Sequence, residues 1–169
     1  MTGKALAAVI CRELETLERE LVAYHSDAEV WALPAGLPNS AGTLALHASG
    51  NLLHFVGTVL GGTGYLRDRD AEFGERGVPR SELVAGLRKA ALVVSEVLGD
   101  LDQSVFAQPY PLPVLNRRQN TGEFMLHLAT HLAYHAGQVD YHRRIVTGDA
   151  VGVGAVSPAA LPSATVIDG

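Results

Sequence analysis

Four of the chain's seven histidines fall within "HLATHLAYHAGQVDYH", residues 127–142, at His127, His131, His135 and His142. Successive residues of an α-helix lie about 100° apart around its axis, so steps of four and seven rotate a side chain by only about 40° and −20°. The four rings therefore share one side of a helix, where they can bind a metal ion, transfer protons or pack. Two histidines four apart stack on adjacent turns, about 6 Å apart at the backbone, and can hold one ion between them. A third ligand must then come from another helix. His47 is the leading candidate, because the segment 40–62 is the only other helical stretch with histidines inside its periodic face. Three imidazoles leave at least one coordination position for water or substrate, which separates catalytic sites from closed structural ones. An all-nitrogen shell suits Zn²⁺, Ni²⁺, Cu²⁺ or Fe²⁺ without choosing among them. The zincin motif H-E-x-x-H is excluded, since Leu128 and Leu132 stand where it needs glutamate, so no general base is built into the motif. Gly137, two residues after His135, removes side-chain bulk where helices can approach closely.

The elements that must position these residues are helical. Leu6, Ile10, Leu14, Leu17 and Leu21 recur at the spacing of one helical face and predict a first helix over about 3–24. "HSDAEVWALPAGLPNS" breaks the pattern, and Ser40 is placed to cap a second helix whose face includes Leu44, His47, Asn51, His54 and Phe55 and which stops at Gly61-Gly62. "TGYLRDRDAEFGERGVPR" has no sustained period and reads as a long connection. A third helix follows over "SELVAGLRKAALVVSEVLGDL", and three prolines in "PYPLP" exclude helix from the next connection, about 102–120, where a short extended excursion fits "SVFAQPYPLPVL". The fourth helix starts at Asn120 or Thr121, runs to Gly148 and carries the histidines. The chain is thus expected to be all-α, a four-helix bundle with two long connections, over residues 1–148. Residues 149–169, small and rich in Gly and Pro, form a tail that either drapes over the bundle or is disordered.

Composition narrows the function. The chain has 169 residues, enough for one domain, and its 47% hydrophobic content supplies a core. A net charge of −5 argues against a nucleic-acid-binding surface. The basic pairs Arg117-Arg118 and Arg143-Arg144 read as solvated charges. The lone Cys11 sits in an amphipathic pattern and reads as buried structure rather than a reactive thiol. No stretch approaches the roughly 20 apolar residues of a membrane span, and the N-terminal apolar run lacks a cleavage site, so no membrane partner and a cytoplasmic location are expected.

"LALHASGNLLHF" followed far downstream by "HLAYHAGQVDYHRR" resembles the DinB-like superfamily of metal-binding four-helix bundles, which includes bacillithiol S-transferases and mycothiol-dependent maleylpyruvate isomerases. The resemblance covers about residues 5–148, and its most specific part is HxxxHxGQ with a histidine in the second helix. It implies His47, His131 and His135 as metal ligands, a homodimer, and a transferase or isomerase reaction that uses a low-molecular-weight thiol as cosubstrate. Zinc, nickel or iron would be the divalent ion, and a small molecule the substrate. The alternative is a non-catalytic bundle that binds a metal or small ligand. Relative to His135, His127 lies about 80° around and two turns away, so it falls outside that triad and reads as packing or a hydrogen bond. Asn51, one turn after His47, and Gln138, three residues after His135, are placed to orient a ligand imidazole or a bound water. His54 shares the face of His47 about 10 Å along the axis, where it lines the pocket or supports the ligands.

Overall fold

The computed structural model describes residues 2–167 and is helical, with no β-strand among the described residues. The apolar stripe of the first segment forms α1, Gly3–Val22, where the Thr2 hydroxyl accepts from the Ala5 N–H as N-cap. Leu6, Ile10, Leu14, Leu17 and Leu21 all enter the core. A short α2, Asp27–Val30, follows in the first connection, held by a reciprocal capping box between Ser26 and Glu29. Ser40 caps α3, Ala41–Leu52, as its position before the periodic run predicts. That helix continues through a π-helical turn, Leu53–Thr58, into α4, Val59–Gly61, and stops at Gly62 with φ 64°.

The segment read as an aperiodic connection contains α5, Arg69–Gly74, capped by the Asp68 carboxylate. Six residues are too few to display a period, so the capping aspartate was its only local signal. Beyond it runs α6, Arg80–Asp100. A 3₁₀ turn, Gln103–Ala107, and two isolated bridges, Pro109 with Asn120 and Val114 with Arg117, replace the extended excursion expected there. The histidine helix is α7, Thr121–Thr147, bounded by Asn120 at its start and by Gly148, φ 77°, at its end.

Four long helices, α1, α3, α6 and α7, enclose one hydrophobic core. Their directions follow from which residues meet. Gly3 lies against Leu98, and Cys11 against Ala91, so α1 and α6 are antiparallel. Ala5 and Leu6 line one hollow with Leu126 and Ala129, and Glu20 meets Arg143, so α1 and α7 are parallel. Gly57 and Gly61 lie on Val93 and Val97, making α3 and α6 parallel, whereas His47 beside His135 and Phe55 beside Phe124 make α3 and α7 antiparallel. A parallel α3 and α6 oblige the chain between them to climb back along the molecule. That climb carries α5 across the side of α3.

Two expectations need correction, those for Arg143 and Gly137. Arg143 is not a solvated charge: it is 2% exposed and donates to the Glu20 carboxylate at 2.6 Å. Its partner lies on α1, which no local pattern reveals. Gly137 does not admit a neighbouring helix, since a Cβ there would meet nothing within 4 Å. Gly137 lines an open hollow with Asp140, Arg144 and Gly152. Cys11 is half-buried, with its thiol donating to the Ala91 carbonyl at 3.4 Å and its pKa pushed up by burial. The tail predicted over 149–169 is tied down at its root by arginines. Arg143 donates to the Val151 carbonyl and Arg19 to that of Gly154, at 3.0 and 2.9 Å. Most residues beyond 155 are exposed, and 168–169 lie outside the described residues.

Candidate metal centre

His47, His131 and His135 meet where α3 and α7 cross, and one ring nitrogen from each lies within 4.8 Å of the others. The four-residue step on α7 stacks two of the rings, with centroids 4.4 Å apart and planes at 79°. His47 completes the group from α3, with centroids 5.3 and 5.2 Å from those of His131 and His135. No other such group of His, Cys, Asp or Glu occurs among the described residues.

Hydrogen bonds fix which nitrogen faces the middle. His47 Nδ1 is 3.0 Å from Glu72 Oε2; a carboxylate only accepts, so Nδ1 carries the proton and Nε2 offers its lone pair. His135 Nδ1 donates in the same way to Gln138 Oε1 at 2.7 Å. Its Nε2 stands 3.1 Å from His131 Nε2. Because the His135 Nε2 is then an acceptor, His131 Nε2–H donates to it in the metal-free protein, and an ion would take the place of that proton. Burial disfavours positive charge on His131, and the neighbouring His135 and His47 add to it, lowering its pKa to about 4. Burial, then His47, also lowers His135 against the raising effect of Gln138. Two lone pairs and one displaceable proton thus converge, and loss of that proton to a divalent transition ion would complete a three-nitrogen donor set.

Glu72 was absent from the residues expected at this site. It reaches His47 because α5 lies on α3 at Gly50, where a Cβ would stand 2.2 Å from Glu72 Oε1. Arg67 grips the same carboxylate through two bonds, Nε to Oε1 at 2.7 Å and Nη2 to Oε2 at 2.8 Å. Burial alone would raise the Glu72 carboxyl, but the bonds and charges of Arg67 and His47 outweigh it and hold it below its usual value. The result is an arginine–carboxylate–histidine relay that orients the ligand imidazole from behind. Phe73, from the same short helix, packs on the His47 ring at 4.9 Å.

The other histidines and amides distribute differently. Gln138 orients His135, one of the two roles open to it from spacing. Asn51 is buried on α3 and makes no side-chain hydrogen bond among the described residues. His54 lies on the π-helical turn, its ring against that of Phe55. Its buried Nδ1 has no partner among the described residues, and burial followed by the Arg67 charge lowers its pKa. His127 is exposed rather than packed in the core, and its ring stacks between Phe124 and His131 at 6.0 and 5.8 Å. His142 serves the fold. Its Nε2–H donates to the Ala32 carbonyl at 2.9 Å, and its Nδ1 accepts from the Tyr24 hydroxyl at 2.6 Å.

No helix among the described residues is long and apolar enough to cross a membrane. Compared with models of known protein families and with curated proteins, the chain matches none.

Proposed function

We propose that this chain is a metal-dependent transferase or isomerase of the DinB-like superfamily, in which His47, His131 and His135 hold a divalent transition ion and a low-molecular-weight thiol is the cosubstrate. The observation that carries the metal reading is the convergence of three imidazole nitrogens from two helices within 4.8 Å, two of them oriented by Glu72 and Gln138. The thiol, the superfamily and its bundle topology rest on the resemblance of "LALHASGNLLHF" and "HLAYHAGQVDYHRR". A cytoplasmic homodimer belongs to the same proposal.

A divalent ion at three neutral nitrogens supplies Lewis acidity, lowering the pKa of a thiol or water so that a nucleophile exists at neutral pH. The chain's own contribution is orientation. Glu72, clamped by Arg67, keeps the proton of His47 on Nδ1, and Gln138 does so for His135. The ion's elementary preference among zinc, nickel and iron is left to the test. Thiol transfer suits the site better than hydrolysis, since no carboxylate or free base stands among the three ligands themselves.

Elemental analysis of untagged protein tests the reading. About one equivalent of transition metal per chain is expected, and it should be lost in both His47→Ala and His135→Ala while His127→Ala retains it. A cobalt-substituted sample should change its absorption when a thiol is added. No metal in the wild type after reconstitution would overturn the proposal.

A further inference from the structure

A hollow of about 150 Å³ opens beside the triad, lined by Leu44 of α3, by Gln138, Tyr141, His142 and Ile145 of α7, and by residues 37–39 of the first connection. None of His47, His131 and His135 lines it. Leu44 precedes His47 on α3, whereas the α7 residues follow His135, and antiparallel helices bring those two stretches to the same place. The hollow therefore lies one turn or more beyond the imidazoles along both helices.

Its walls carry no charge. Leu37, Pro38, Leu44, Tyr141 and Ile145 are apolar or aromatic, and no Asp, Glu, Lys or Arg lines the hollow. His142 offers only its ring, because its two nitrogens are committed to Tyr24 and Ala32 and burial lowers its pKa. The hollow under the root of the tail is different, with Glu13, Glu20, Asp140 and Arg144 around it. Tyr141 and Ile145 are 66% and 57% exposed, so the apolar lining continues to the surface and leaves a way in.

Two amides remain for a ligand. Asn39 makes no side-chain hydrogen bond among the described residues. Gln138 accepts from His135 Nδ1 at 2.7 Å through Oε1, which fixes the amide, and its Nε2 has no partner among the described residues. An apolar cavity of this volume holds one benzene ring, and a fixed donor in its wall orients what burial retains. We propose that the hollow binds a small uncharged molecule of about one ring, with a hydrogen-bond acceptor on Gln138 Nε2, and that its occupancy tightens the triad's hold on its ion. The link is the amide itself. An acceptor on Nε2 polarises the group and makes Oε1 a stronger partner for His135, whose orientation supports metal affinity. The coupling rests on the reading of the triad as a metal centre; the binding does not.

Two fluorinated probes of similar size, 4-fluorobenzonitrile and 4-fluorotoluene, differ chiefly in the nitrile acceptor and are titrated into the metal-free full chain by ¹⁹F NMR. The nitrile should bind with a Kd on the order of 1 mM, about fivefold more tightly than the toluene, as one hydrogen bond would give. Ile145→Glu, at the exposed rim, should weaken both probes about tenfold. Gln138→Glu keeps an acceptor for His135 but removes the donor, and should abolish the nitrile's advantage. Saturating nitrile should raise zinc affinity, read by chelator competition, about threefold, with zinc tightening the nitrile by the same factor, and Ile145→Glu should remove the effect. Non-saturable uptake, equal affinity for the two probes, or a titration untouched by Ile145→Glu overturns the site. Probe binding with unchanged zinc affinity overturns the coupling alone. Failure of the probe-free wild type to bind zinc overturns the metal-centre reading and the coupling together, while the titration of the metal-free chain still decides the site.

Discussion

Gly50→Ala is the most informative perturbation of the site, because helix propensity and the tertiary contact predict opposite signs. In an exposed helix the change is stabilising by about 1 kcal/mol. At position 50 the new Cβ would stand 2.2 Å from Glu72 Oε1 and 2.9 Å from its Cδ. Ordinary contact needs about 3.5 Å, so the carboxylate must retreat by about 1 Å. Its bond to His47 is 3.0 Å long, and such a retreat ends it. The charge-assisted bonds at risk contribute about 1.5–3 kcal/mol each, against about 1 kcal/mol gained by the helix. The expected net loss is about 1–2 kcal/mol, or a drop of roughly 2–8 °C in Tm for a chain of this size. With His47 no longer oriented, metal affinity should fall by about 10- to 100-fold. Gly137→Ala is the control, since it too lies on a long helix and its Cβ meets nothing within 4 Å. It should gain stability and keep its metal affinity. Thermal unfolding of the metal-free proteins and chelator competition of the loaded ones read both quantities. If Gly50→Ala were as stable and as tight-binding as Gly137→Ala, the relay from Arg67 through Glu72 to His47 would have no energetic reality.

The metal-free protein should lose stability as pH falls from about 6.5, the ordinary histidine value, toward 4. The folded pKa of His131 is lowered to about 4, so over this window the unfolded chain binds the proton and the folded chain resists it. That single group gives a slope of about 1.4 kcal/mol per pH unit, measurable as urea midpoints at stepped pH; a flat profile would contradict the burial of His131. His142→Leu should destabilise by about 2 kcal/mol, since it leaves the Ala32 carbonyl unpaired inside the protein and the Tyr24 hydroxyl with only its long 3.5 Å bond to the Val139 carbonyl. Metal content should be unaffected in that variant, and its loss would place His142 in the site rather than in the fold. Glu72→Gln, which keeps shape but removes charge, should bind metal about tenfold more weakly while remaining folded.

Local rules carried most of the helices. Caps at Ser40 and Asn120, stops at Gly62 and Gly148, and apolar steps of three and four along α1 are all written in residues adjacent to what they control. The stacking of His131 on His135 is equally local, because four residues on a helix are neighbours whatever else the chain does. Gln138 beside His135 follows from the same geometry. What depends on two distant segments was hidden. The Arg143–Glu20 pair joins α7 to α1, and a charged residue near a helix end looks solvated until its partner is known. The π-helical turn that carries His54 was hidden as well, because such a turn has no signature in hydropathy.

Sequence by itself determined that the chain is helical and that one helix carries a ladder of imidazoles, since both depend on angular steps within a single segment. Only the tertiary structure decided that His47 meets that ladder, and that Glu72 and Arg67 stand behind it. The physical reason lies in the direction of the helices. Because α3 and α6 run parallel, the chain between them must return along the molecule. The notch at Gly50 lets α5 settle there, and a segment with no period of its own supplies the carboxylate that orients the ligand.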